Sequence, residues 1–161
     1  MVHQACEGFL AARNMLRQGH ARVIAGLNHH ASQQVLDAVD AIIAQRGGID
    51  NLFNNAAVYT KVNFLDESAA DWLSAIAISL GGVDSWCRAF VPHMIKAGYG
   101  RIINIGSALS LVGLAGRISY TSSKGAVLQM TRTLALELAQ TGVTVNCICP
   151  GPFATEINRP V

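Results

Sequence analysis

Charge is scarce in this sequence. Only 14% of its 161 residues are Asp, Glu, Lys or Arg, against 51% hydrophobic, and the formal net charge is +2. With so little charge and no clustered Lys or Arg, the composition argues against a nucleic-acid or membrane surface. Long apolar runs are missing too. None approaches the roughly 18 residues of a membrane span, and the N-terminus lacks a basic region, apolar stretch and cleavage site in series, so the cytoplasm is the expected compartment. The four cysteines, Cys6, Cys87, Cys147 and Cys149, show no C-x-x-C spacing, which leaves buried reduced thiols as the expectation rather than a disulfide framework or metal site. His29 and His30 would point opposite ways on an extended chain, with no third ligand nearby in sequence, and read as part of a polar loop. No internal repeat, linker or low-complexity stretch divides the chain, and its length is enough to bury one real core.

What is present is an alternation of helix-period and strand-like segments. Met1 to Gly19 reads as a helix with Phe9, Leu10, Met15 and Leu16 as its stripe, and Ala21 to Leu27 as a short strand. Ser32 opens a second helix with Val35, Leu36, Val39, Ile42 and Ile43 at helical spacing, ended by Gly47-Gly48. Ile49 to Ala57 is an apolar strand closing on two amides and two small residues. A loop from Val58 to Phe64 precedes a helix from about Ser68 to Ala97, with Gly81-Gly82 marking where it can break. Arg101 to Ser107 is a buried strand, Tyr120 to Thr141 a helix, and Val143 to Ile148 a strand. Strands alternating with helices of this length imply a parallel, doubly wound α/β sheet.

The chemistry concentrates at Ser119-Tyr120-Thr121-Ser122-Ser123-Lys124. Tyr120 and Lys124 are four apart in the first turns of a helix and share one face. A phenol ionises near pH 10 in water and transfers protons poorly at neutral pH. An ammonium at ~4 Å in an effective dielectric of ~20 stabilises the phenolate by about 4 kcal/mol, so the pair can act as an acid/base. Ser107 ends a strand, where ligands of open α/β sheets bind, and the loop that follows is long enough to fold the serine back beside Tyr120.

Four motifs in order then resemble the short-chain dehydrogenase/reductase family: Asn54-Asn55-Ala56-Ala57 for its N-N-A-G, Ser107, Tyr-x-x-x-Lys at Tyr120 and Lys124, and Pro150-Gly151 to Thr155. The resemblance runs from about Ala21 to Pro160. It implies a single, incomplete Rossmann-like domain over residues 1–161, lacking the family's first β-α-β unit and last strand. It implies an NAD(P)-dependent oxidoreductase acting on a small carbonyl or alcohol substrate. Tyr120 would be the general acid or base; Lys124 would support Tyr120 and hold the ribose; Ser107 would polarise the carbonyl. Asn28, Asn55, Tyr120, Lys124, Phe153 and Thr155 would contact NAD or NADP, with no metal.

The resemblance also has gaps. The glycine-rich turn that binds the pyrophosphate at a helix N-terminus is absent, so the chain alone is expected to show little turnover. Ser79 stands where the family's W-x-x-x-x-x-V-N-L pattern carries a catalytic asparagine, and Asn28 where an aspartate is usual. The stretch Gly151 to Pro160 leans toward the gluconate 5-dehydrogenase-like branch, acting on sugars, sugar acids or polyols. Alternatives are a 3-oxoacyl thioester reductase and a non-catalytic remnant serving as an interaction module. In the family, the Ser68–Ala97 and Tyr120–Thr141 helices form the subunit contact. Leu80, Trp86, Phe90, Leu128 and Leu134, too many for one buried stripe per helix, accordingly suggest a homo-oligomer. With two strands of the family's sheet missing between them, the Ala21 strand is expected either to close up beside the Asn54 strand or to detach.

Overall fold

The computed structural model describes residues 22–24 and 32–152. The expected Met1–Gly19 helix, Cys6, Asn28, His29, His30, Phe153 and Thr155 lie outside them. The elements are β1 (Arg22–Ile24), α1 (Ser32–Arg46), β2 (Asn51–Asn54), α2 (Ala69–Ile76), a π turn (Ala77–Gly81), α3 (Gly82–Ala97), β3 (Gly100–Ile105), a 3-10 turn (Ala108–Ser110), α4 (Ile118–Glu137) and β4 (Val143–Ile148). All four strands are parallel in the order β1-β2-β3-β4. β1 closes up directly beside β2, with Val23 opposite Leu52, the first of the two outcomes expected for that strand.

Each crossover steps to the next strand in the same direction. Right-handed connections therefore place the helices on one face of the sheet. Burial follows from this. On β2 and β3, Leu52, Asn54, Ile102 and Asn104 are buried, while their neighbours Phe53 and Ile103 are only half-buried; on β4, Val143 and Val145 are buried and Thr144 and Asn146 exposed. Against the covered face pack Val35 and Val39 of α1, Trp86, Phe90 and Met94 of α3, and Val127 of α4.

The long helix does not break at Gly81-Gly82. Ser68 caps α2, its hydroxyl accepting from Asp71 N–H at 3.1 Å, and the helix then widens through one π turn and continues as α3. Glycine relieves crowding there but leaves the backbone helical, with Gly82 at φ −60°. Widened turns of this kind recur at functional sites, and this one carries Ser79 inward.

Two residues offered above for a subunit contact belong instead to the core. Trp86 and Phe90 are buried, their rings stacked with centroids 5.9 Å apart, and Leu80 and Leu134 pack against the same cluster. The helices carry two apolar stripes because each touches both the sheet and a neighbouring helix.

At the amino edge of the sheet, Gly142 has φ 79° and a Cβ there would collide with the Gly98 carbonyl. Gly142→Ala should therefore cost at least about 1 kcal/mol through left-handed strain and the clash, read as a lowered urea midpoint. Gly113→Ala, where a Cβ meets nothing, should leave that midpoint in place.

Candidate active site

A buried polar ladder crosses the carboxyl edge of the sheet. Asn54 and Asn104 are register partners on β2 and β3. Asn54 Nδ2 donates to Asn104 Oδ1 at 2.8 Å, and Asn104 Nδ2 donates to Thr131 Oγ1 of α4 at 2.9 Å. The same Asn54 amide reaches the Cys87 sulfur at 3.4 Å. Burial pushes the Cys87 thiol up to about 12, only partly offset by that bond, so Cys87 is an inert packing residue. Asn54, the first of the two amides that close this strand in the sequence, is thus a rung of the ladder.

Past the ladder the backbone turns tightly. Gly106 N–H donates to Ile148 O and Ala108 N–H to Pro150 O, each at 2.8 Å, which ties the exits of β3 and β4 together. A Cβ at Gly106 would come within 2.9 Å of both the Cys147 and Cys149 sulfurs, so the turn has room only for glycine. Those sulfurs are free and 3.8 Å apart. Burial, then the adjacent Cys149, raises the Cys147 thiol above its usual range.

Ser107 caps the 3-10 turn, its hydroxyl accepting from Leu109 N–H at 3.1 Å. Ser110 closes the box: its hydroxyl accepts from Ser107 N–H at 3.0 Å and donates to Lys124 O at 2.8 Å. In this way the strand-end serine is held to the first turns of α4. One turn apart on that helix, Lys124 Nζ lies 5.9 Å from the Tyr120 ring centroid. The lysine is 3% exposed, and its ammonium donates to Ile105 O, the last carbonyl of β3, at 2.5 Å. Burial lowers the Lys124 amine from 10.5 to about 8, against a smaller opposite pull from Cys147 and Cys149. It is still mostly protonated at neutral pH, with about a tenth neutral.

Ser107, Tyr120 and Lys124 thus gather at one edge. Asn55 sits one residue past β2, exposed, and makes no hydrogen bond to them. Ser79, in the π turn, accepts from Val58 N–H at 3.1 Å and so anchors the loop that follows β2.

That loop carries residues the sequence reading did not single out. Tyr59 stands edge-on to Tyr120, centroids 4.9 Å apart. Thr60 and the buried Ser119 share a 2.6 Å hydroxyl bond, and Val62 N–H donates to Gly116 O at 3.1 Å. Arg117 Nε donates to the Tyr59 hydroxyl at 2.9 Å. The Arg117–Tyr59 and Thr60–Ser119 partners are 58 and 59 residues apart in sequence, and no local pattern announces them. Asn104 did leave a signal: it is a polar residue at an inward position of an otherwise apolar strand end.

The chain has relatives among known proteins. A family model described as short chain dehydrogenase matches residues 6–161. The chain belongs to the short-chain dehydrogenase family. It is 38% identical over 125 residues to 2-(R)-hydroxypropyl-CoM dehydrogenase of Xanthobacter autotrophicus, covering 76% of this chain and 50% of that protein. Against a 3-oxoacyl-[acyl-carrier-protein] reductase of Buchnera aphidicola it is 34% identical, covering 80% and 52%. The crystal structure of a gluconate 5-dehydrogenase from Burkholderia cenocepacia in complex with NADP and tartrate superposes with a TM-score of 0.82 at 33% identity, covering 93% of this chain and 59% of that one. The chain spans about half the length of the curated relatives it matches. Among the described residues, no group of three or more His, Cys, Asp or Glu could hold a metal ion, and no helix is long and apolar enough to cross a membrane.

The depressed Lys124 amine has a consequence for stability. Its folded-state value lies below its unfolded value, so the unfolded chain binds more protons between them and folding stability should rise from about pH 8 to 10.5. The full rise is roughly 3 kcal/mol. Because Cys87, raised to about 12, opposes it above pH 9, the measurement is the difference between wild type and Lys124→Met in urea unfolding. Wild type should gain stability relative to Lys124→Met across pH 8 to 10.5; a flat difference would contradict burial of the amine.

Proposed function

We propose that this chain carries the proton-transfer half of an NAD(P)-dependent oxidoreductase that interconverts a ketone and a secondary alcohol. The observation that supports this most is the Lys124 ammonium, buried against Ile105 O and facing the Tyr120 ring. The donors present suit the nicotinamide–ribose end of a dinucleotide: Lys124 spends one N–H on Ile105 O and keeps others for a diol, while Asn55 stands exposed at the end of β2. When bound, the cofactor supplies or accepts the hydride.

In carbonyl reduction, Tyr120 donates its phenolic proton to the substrate oxygen, and the Lys124 ammonium stabilises the phenolate left behind. Ser107 Oγ accepts from Leu109 N–H, so its own O–H is free to donate to the same oxygen and orient the carbonyl. Oxidation runs through the same groups in reverse. Ser79 fixes Val58 through its hydroxyl, so the proton relay that an asparagine amide would serve there has no amide. The likeness to a gluconate 5-dehydrogenase supports a sugar, sugar-acid or polyol substrate, and the likeness to an oxoacyl reductase a thioester.

The test is fluorescence titration with NADH and NADPH, together with assays over ketones, oxo acids and polyols. Tyr120→Phe keeps the ring against Tyr59 and removes the transferable proton, so turnover should fall about 10²- to 10⁴-fold with the fold intact. Undiminished turnover in that variant would contradict the assignment.

A further inference from the structure

We propose that Arg117 is the anion-binding residue of this site and that the substrate carries a carboxylate, or an equivalent singly charged oxyanion, a few atoms from the reacting carbon. The proposal rests on the reading of Tyr120 as the proton-transfer group.

Arg117 immediately precedes α4, three residues before Tyr120. Its guanidinium lies over the Tyr59 ring at 4.7 Å from the centroid, and that ring abuts Tyr120 at 4.9 Å. The guanidinium is therefore no farther from the Tyr120 ring than those two separations combined, a span that a short oxo acid bridges. Nε is held by the Tyr59 hydroxyl and Nη1 by Gly116 O at 2.8 Å. The remaining donors of the fork have no partner among the described residues, and no carboxylate pairs with this half-buried charge.

The other arginines with assigned partners differ. Arg88 is paired with Asp84, and Arg132 donates to Gln129 Oε1 at 3.3 Å, each on an exposed helix face. Arg101 lies at the amino edge of the sheet, where Nη1 bridges Gly100 O and Gly142 O, and its guanidinium stacks on Tyr99. Arg117 alone of these four stands at the carboxyl edge beside Tyr120.

The arrangement is also fixed in place. The Thr60–Ser119 and Val62–Gly116 bonds strap the Tyr59 loop to the segment that opens α4, so the guanidinium is oriented before any ligand arrives, which lowers the ordering cost of binding. An unspent guanidinium fork matches an oxyanion in geometry and charge. A neutral alcohol offers it far less.

The experiment uses three ketones that differ at one end: acetoacetate, acetonylsulfonate and neutral methyl acetoacetate. Each is titrated into ¹⁵N-labelled protein with NADP⁺ present, reading the Arg117 Nε–H resonance and the dissociation constant. The two anions should shift that resonance and bind more tightly than the ester. Arg117→Gln should weaken the anions about tenfold or more and the ester less than twofold, while Arg117→Lys keeps part of the preference. A preference for only one anion identifies which oxyanion the site takes. Tyr59→Phe, which retains the guanidinium, should keep the preference too, so these two variants carry the test if Arg117→Gln fails to give a folded amide spectrum. Equal binding of anions and ester, no binding of any, or equal losses for all three in Arg117→Gln (Arg117 merely seating Tyr59) overturns the proposal. NADPH oxidation with methyl acetoacetate, run in parallel on wild type and Tyr120→Phe, judges the oxidoreductase reading separately: turnover undiminished in Tyr120→Phe sinks that reading, while the binding data still decide the role of Arg117.

Discussion

The carboxyl edge of the sheet depends on one buried polar ladder, Asn54 to Asn104 to Thr131. In an apolar parallel sheet, strand pairing by itself tolerates more than one helix placement; a chain of amide and hydroxyl bonds tolerates one, because a displaced rung leaves buried donors unpaired. Thr131 and Lys124 are two turns apart on α4. One bonds Asn104 and the other the carbonyl of Ile105, the next residue along β3. The helix is thus pinned to the strand at two successive residues, and Tyr120, one turn before Lys124, has its place set by the same pins. Asn54 Oδ1 remains buried without a partner, which marks this edge as one where stability is not maximised.

Burial then does the chemical work. An ammonium in water is screened and fully charged at neutral pH; the Lys124 ammonium is desolvated, held by a backbone carbonyl, and brought to about 8. Its charge consequently acts on the adjacent Tyr120 ring through protein rather than solvent. Ser110 extends the arrangement to Ser107 by bridging the 3-10 turn to the Lys124 carbonyl. The serine is positioned by backbone on both sides of the turn.

The alternation of elements was legible because it rests on local periodicity: the apolar spacing of Val35 and Val39 gave α1, and the run around Ile102 gave β3. The Tyr120–Lys124 pair was legible for the same reason, since a spacing of four on a helix fixes a shared face. The π turn at Ala77–Gly81 was not legible, because Gly81-Gly82 signals a weak point in a helix without saying whether it breaks or widens. Trp86 and Phe90 were taken for surface because composition counts apolar residues per helix but not how many neighbours that helix has. Tyr59, Thr60 and Arg117 escaped notice since their partners lie across the fold, where only tertiary structure brings them together.

The account stands or falls on the state of one amine. A ¹³C-edited NMR titration of the lysine ε-methylene signals, with Lys124 assigned by its loss in Lys124→Met, measures that state directly. The structure predicts a midpoint near 8 for Lys124. A midpoint at the ordinary lysine value of about 10.4 would mean that the amine is not desolvated, and would contradict the site described above.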